Sequence, residues 1–164
     1  MRRLAAPVLI VGAGPVALSL AIDLAWRGIA VIVAEARAAG PPPSVKCNYI
    51  AARTIEAFRR LGIARAVREA PGLPADFPND VAFRTTTTGI EFGRIPIPCR
   101  ADRYTDRSGP DGSWPTPEPP HRINQIDLEP ALAAAAAAMP GLTLLFGTRV
   151  TGFTADTATT AACG

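Results

Sequence analysis

Six residues, Gly12-Ala13-Gly14-Pro15-Val16-Ala17, constrain this chain more than any others. They follow an aliphatic run, Val8 to Val11, and open an amphipathic stretch that continues to Arg27. Gly28 and a second apolar run, Ile29 to Ala34, come next, closed by Glu35. Strand, glycine turn, helix, strand and acid in this order are what a βαβ unit needs to cradle a dinucleotide. Gly12 permits the tight turn, and Gly14 lets the backbone approach a pyrophosphate. Ala17 stands where a third glycine is usual, at a point where helix and strand need only pack closely. Pro15 suits the first helical turn, because its missing N–H would have no intrahelical partner. The free N–H groups and the positive end of the helix then face the phosphates. Glu35 lies 21 residues after Gly14, near the spacing of about 20 at which a carboxylate meets a ribose hydroxyl.

A secretory signal is the competing reading of this end, since Met1-Arg2-Arg3 precedes an apolar run and Ala17-x-Ser19-x-Ala21 imitates a cleavage site. Two glycines and a proline break that run, however, and helical periodicity continues beyond it. Ala17, Leu20, Ala21 and Leu24 fall on one face, with Ser19, Asp23 and Arg27 on another. At 164 residues the chain can bury the core of one ordinary domain. Its net charge of +3 is small and its arginines are scattered, so no nucleic-acid partner is expected. Cys47, Cys99 and Cys163 are an odd set without a CxxC, which fits reduced thiols rather than a disulfide framework or a zinc site. His121, the only histidine, follows two prolines and reads as a loop residue, not a catalytic base or metal ligand. No apolar stretch reaches the ~18 residues of a membrane span. A cytoplasmic protein with no membrane partner is expected.

Beyond Glu35, Ala36 to Val45 reads as a loop around Gly40-Pro41-Pro42-Pro43. A helix follows in the segment Lys46 to Ile63, with Ala51, Ile55 and Phe58 on its inner face, a Glu56–Arg60 pair outside and a stop at Gly62. A short helix spans about Ala64 to Glu69. Asp80 to Thr86 and Ile90 to Ile95 read as strands joined through Thr87-Thr88-Gly89 in a hairpin. Residues 99–121, rich in proline, glycine and charge, form a long irregular connection around Tyr104 and Trp114. Docking and plain disorder both account for such a segment. Asp127 reads as the N-cap of a helix whose first turn tolerates Pro130, and the alanine run Ala133 to Ala138 continues it. Pro140-Gly141 stops that helix. Leu142 to Phe146 is a buried strand, Arg149 to Ala155 begins another, and Asp156 to Gly164 shows no credible element.

The βαβ unit, the segment Arg53-Thr54-Ile55-Glu56-Ala57-Phe58-Arg59-Arg60-Leu61-Gly62-Ile63 and the later Asn124-Gln125-Ile126-Asp127-Leu128-Glu129 together resemble the class A FAD-dependent aromatic hydroxylases, flavoprotein monooxygenases of the phenol and polyketide hydroxylase type. The resemblance covers about Val8 to Val150. It implies an α/β, Rossmann-like FAD-binding βαβ fold: a partial parallel sheet flanked by helices, with a β-hairpin excursion toward a missing substrate domain. Residues 1–164 would be a partial FAD-binding domain, with 7–79 its βαβ core and following helices. Residues 80–98 would be a hairpin of the substrate sheet, 99–121 an irregular loop, and 122–155 a helix and strands returning to the FAD domain. By position, Gly12, Gly14, Pro15 and Ala17 would cradle the FAD diphosphate, and Glu35 would hold the adenosine ribose. Arg53 and Lys46 would reach the cofactor from the segment after the second strand. Gln125 would contact it from the later helix. An ordinary helix charge remains open for Arg53, and a capping role for Gln125.

The resemblance further implies that NADPH or NADH reduces the flavin, which then uses dioxygen to hydroxylate a small aromatic substrate. No residue here is a convincing acid–base catalyst. Two downstream motifs of such enzymes, an Asp-Gly pair and a Gly-Asp pair, have no counterpart, since Asp111-Gly112 sits upstream of the helix it should follow. The chain therefore reads as the N-terminal part of a longer enzyme, inactive alone. Two rivals stand beside this reading: a truncated, non-catalytic nucleotide-binding fragment, and an NAD(P)-dependent oxidoreductase. In the latter Glu35 would select NAD, or Arg37 would meet a 2′-phosphate.

Overall fold

The computed structural model describes residues 4–40, 42, 46, 48–70, 72–110 and 112–163. Cys47 and Asp111 lie outside the described residues, so the expectations attached to them carry no further. The elements run β1 (Val8–Val11), α1 (Pro15–Trp26), β2 (Val31–Ala34), α2 (Ala52–Arg60), α3 (Ala64–Glu69), β3 (Val81–Arg84), β4 (Glu91–Ile95), α4 (Gln125–Ala137), β5 (Leu142–Leu145), β6 (Thr148–Phe153) and β7 (Ala158–Ala162). They fall into two compact units, residues 1–46, 65–70 and 125–164 in the first, and 47–64 and 71–124 in the second.

In the first unit β1, β2 and β5 form a parallel sheet in that order, with Val8 opposite Val31 and Val31 opposite Leu142. The central strand β2 is apolar throughout because it has a neighbour on each side and a helix across it; Val31, Val33 and Ala34 are all buried. Helices α1 and α4 pack against each other, α1 on β2 and α4 on β5. The buried stripe of α1 is Leu18, Ala21, Ile22 and Ala25, which shares only Ala21 with the expected face of Ala17, Leu20, Ala21 and Leu24. The helix is apolar nearly all round, so periodicity alone does not choose which stripe meets the sheet; Leu20 ends half-exposed. Asp23 and Arg27, expected on one face, form an ion pair (3.1 Å).

Two further expectations are corrected in this unit. Helix α4 begins at Gln125, not after an Asp127 cap, so Asp127 lies in the first turn and Pro130 inside the helix. The Lys46 carbonyl accepts the Gln125 N–H (3.4 Å), which supplies from the backbone what a cap supplies from a side chain. Asp127 then serves as a negative charge near the helix's positive end. The tail also carries an element: β7 pairs antiparallel with β6, Thr148 opposite Ala162. Threonine is at home in such a ladder, but a strand of small residues has no apolar alternation to reveal it.

The second unit holds α2, whose inner face is Ala52, Ile55 and Phe58, with Ala51 exposed as its N-cap residue. The described residues of 99–121 contain neither helix nor strand; most of 101–110 is exposed, but Arg103 and much of 112–121 are buried. Trp114 is buried, with the guanidinium carbons of Arg103 and Arg107 5.0 and 4.5 Å from its ring centroid. Tyr104 donates to Glu118 (2.7 Å), and His121 is buried in a backbone bridge to Ile50. The irregular connection is held by docked side chains.

Strands β3 and β4 pair antiparallel as expected. On this hairpin Glu91 accepts from both Arg94 and Arg84 (2.7 Å each), and these bonds lower its pKa from the ordinary 4.5 to about 2. A depressed carboxyl pKa contributes stability that is complete above the ordinary value and is lost as pH falls through the folded one. The hairpin should therefore hold its register from neutral pH down to 4.5 and loosen toward about 2, followed by the amide shifts of Phe83 and Phe92. Loosening already between neutrality and the ordinary value would show that the Glu91 pairs contribute nothing.

Candidate cofactor site

Every feature of the first turn follows from where β1 stops. Gly12 leaves the strand with its N–H still bonded to the Ala34 carbonyl (2.8 Å) and with φ at +99°, a conformation that L side chains rarely adopt. Gly14 is the N-cap residue of α1 at φ −74°, ψ 174°, and Pro15 opens the helix. No side chain caps α1, so the Val16 and Ala17 N–H groups, which have no carbonyl a turn below them, point out of the helix end.

Gly12 and Gly14 are glycines for different reasons. At Gly12 the backbone requires it. At Gly14 the backbone does not, since any residue adopts its angles, and a Cβ there would meet nothing among the described residues within 4 Å. Glycine is acceptable at an N-cap, but among the described residues no strain or close packing requires it at 14. A group lying against the turn gives a reason.

Glu35 follows β2 and is locked on its backbone: its N–H donates to Leu145 O (2.9 Å), and its carbonyl accepts from Thr148 N (2.8 Å). Its side chain is buried and points back at the turn, Oε2 accepting from the Ala13 N–H (2.7 Å). Oε1 accepts from the Arg37 backbone N–H (2.8 Å) and from Arg37 Nε (3.3 Å). Burial acts to raise the Glu35 pKa, but the Arg37 and Ala13 N–H bonds and the Arg37 charge outweigh it, and the carboxyl stays below its ordinary range. By the same linkage, these bonds are in place at neutral pH and are lost only on acidification. A carboxylate has about four acceptor positions. Among the described residues three are filled, and the one left is on Oε2, beside the glycine turn.

Arg37 continues outward, Nη2 donating to Glu129 Oε2 (3.2 Å), and Gln125 Nε2 donates to the other oxygen, Oε1, of the same carboxylate. Glu129 is buried on α4, four residues after Gln125. Sequence reasoning missed it; the signal was the Gln125/Glu129 spacing of one helical turn, which places both on one face. Ala13, Glu35, Arg37, Glu129, Gln125 and Lys46 thus form one hydrogen-bonded chain from the glycine turn to the start of α4. Lys46 takes part through its carbonyl and its side chain is exposed. Arg53 stands outside this chain: it belongs to the second unit, where it is 85% exposed and paired with Glu56 (3.5 Å).

A cleft of about 250 Å³ opens beside this chain. Ala13, Ala38, Ala133 and Phe146 give it apolar walls, and Arg37 and Glu129 are its charged members. Outward N–H groups, a glycine that no strain or close packing requires, one open acceptor and an apolar cleft together suit an adenosine diphosphate moiety. Among the described residues no cluster could hold a metal ion, Cys99 and Cys163 are free thiols, and no helix is long and apolar enough to cross a membrane.

Comparison with known proteins gives a consistent answer. The FAD binding domain family matches residues 5–163. The FAD-dependent monooxygenase apdD of Emericella nidulans is 32% identical over 148 residues, 88% of this chain and 23% of that protein. The structure of native and K252c-bound RebC-10x superposes with a TM-score of 0.81 at 33% identity, covering 98% of this chain and 29% of RebC-10x. The flavin-dependent monooxygenase PieE, in complex with FAD and substrate, gives 0.75 at 26% identity, with 99% and 30% covered. The chain thus spans less than a third of the length of each of these relatives.

Proposed function

The chain belongs to the FAD binding domain family of flavin-dependent monooxygenases, and from that premise we propose that it holds the adenosine diphosphate end of FAD for an enzyme that hydroxylates an aromatic substrate. The observation that carries this reading is Gly14, a glycine that neither backbone strain nor internal packing explains. The diphosphate is assigned to the turn of Gly12, Gly14, Pro15 and Ala17, where the outward N–H groups and the helix's positive end neutralise it. Glu35 offers its open Oε2 position to a ribose hydroxyl. Arg37, which uses two of its five N–H donors on Glu35 and Glu129 among the described residues, is assigned to the cofactor, and Gln125 and Lys46 to its further course. Arg53 remains an assigned cofactor contact in this proposal. The division into a βαβ core over 7–79, a substrate-sheet hairpin over 80–98, a loop over 99–121 and a return over 122–155 is part of the same proposal.

Bound FAD supplies the redox chemistry, carrying electrons from NADPH or NADH to dioxygen. The residues named here bind and orient the cofactor. Hydroxylation itself, and the aromatic substrate, are assigned to the whole protein.

The experiment that tests this reading is a flavin titration of the chain. FAD should bind and ADP should compete with it, whereas FMN and riboflavin, which lack the adenosine end, should bind at least about a hundredfold more weakly, the loss of two charge-assisted contacts. Equal affinity for FAD and FMN would overturn the assignment.

A further inference from the structure

Two carboxylates share one cation beside this cleft. Arg37 donates to Glu35 Oε1 through its backbone N–H and Nε, and to Glu129 Oε2 through Nη2 (3.2 Å). Glu35 and Glu129 are both buried, so the trio carries two negative charges against one positive, a net −1. An arginine just after a strand-end acid is otherwise well placed to meet a phosphate on the adenosine ribose. Here its nearest guanidinium edges already face carboxylates. Glu129 is the less obvious of the two, because it comes from α4, ninety-two residues beyond Arg37.

We propose that Glu129 is a specificity-determining residue: by occupying Arg37 from α4, it makes the cleft accept an adenosine ribose with a free 2′-hydroxyl and reject one bearing a 2′-phosphate. This rests on the assignment of the cleft to the adenosine end of FAD. A 2′-phosphate would bring nearly two further negative charges to a buried site that is already net negative. Two carboxylates already offset the Arg37 charge, so it has little attraction left for a further anion. With Glu129 neutral, the trio becomes net zero and Nη2 is released to the ligand. Glu129 therefore acts through Arg37, as a positioning residue.

The test is the binding of ADP-ribose against 2′-phospho-ADP-ribose, two probes that differ only in the phosphate, read by calorimetry on the full chain. The wild-type chain should prefer ADP-ribose. Glu129→Gln should reduce that preference about tenfold, the effect of removing one nearby unit charge, and most of the change should disappear in the Glu129→Gln/Arg37→Gln double variant. Arg37→Gln alone, at a side chain 38% exposed, should raise the preference about tenfold and keeps the test readable if the Glu129 variant unfolds. An unchanged ratio in either single variant overturns the proposal. A wild-type chain that takes up neither FAD nor ADP-ribose overturns the cofactor assignment and this proposal together, whereas binding without a shift in ratio overturns this proposal only.

Discussion

Gly14→Ala should leave the chain folded and abolish its retention of FAD. Gly14 has φ −74° and ψ 174°, where alanine is unstrained, and its added Cβ would meet no atom of the described residues within 4 Å. A glycine-to-alanine change at a compatible backbone position stabilises by about 0.4–1 kcal/mol, by narrowing the unfolded ensemble. The melting temperature should therefore hold or rise. The same Cβ projects where the diphosphate is assigned and pushes it off the helix N–H groups. Losing two charge-assisted hydrogen bonds, roughly 1.5–3 kcal/mol each, weakens binding by about two to four orders of magnitude. Gly12→Ala makes the opposite comparison. At φ +99° a side chain is strained, and the cost of about 1–3 kcal/mol falls on stability whether or not FAD is present. Thermal melts and FAD titrations of the two variants separate the roles. Undiminished FAD affinity in Gly14→Ala would mean that nothing lies against the turn.

Glu35→Gln should damage fold and site together, although it changes only one atom. Both carboxylate oxygens accept from N–H donors, Ala13 on one side and Arg37 on the other. A glutamine has one acceptor and one NH₂, so whichever way its amide turns, the NH₂ faces a donor. A buried N–H is left unsatisfied at about 1–3 kcal/mol, and the ion pair with Arg37 is lost as well. A stability loss of roughly 2–4 kcal/mol follows, which for a chain of this size lowers the melting temperature by about 5–15 °C. FAD affinity should fall about tenfold to a hundredfold, because the open Oε2 acceptor goes too. Denaturant melts with and without FAD measure both. Wild-type behaviour in both would make Glu35 a bystander at the strand end.

The parts legible in the sequence are those where one residue type has one physical use. A glycine pair between apolar runs, a proline at a helix start and an acid closing the second strand place β1, α1, β2 and Glu35 nearly residue by residue. The β3–β4 hairpin is legible for the same reason, through its glycine-containing turn. The rest depended on tertiary partners. The inner stripe of α1 could not be chosen because Leu20 and Leu24 are as apolar as Leu18 and Ile22. Helix α4 starts two residues before Asp127 because Lys46, distant in sequence, supplies a carbonyl to Gln125. Strand β7 exists through its pairing with β6, not through a pattern of its own. Glu129 reads as an ordinary helix charge until Arg37 is brought to it by folding.

The most direct measurement of the central claim is a titration of the isotopically labelled chain with FAD, followed by amide chemical shifts. The account predicts the largest shifts at Ala13, Gly14, Val16 and Ala17 and at Glu35 and Arg37, with the β3–β4 hairpin amides from Val81 to Ile95 nearly unmoved. Shifts concentrated in the hairpin with a silent glycine turn, or no shifts at any concentration, would contradict it.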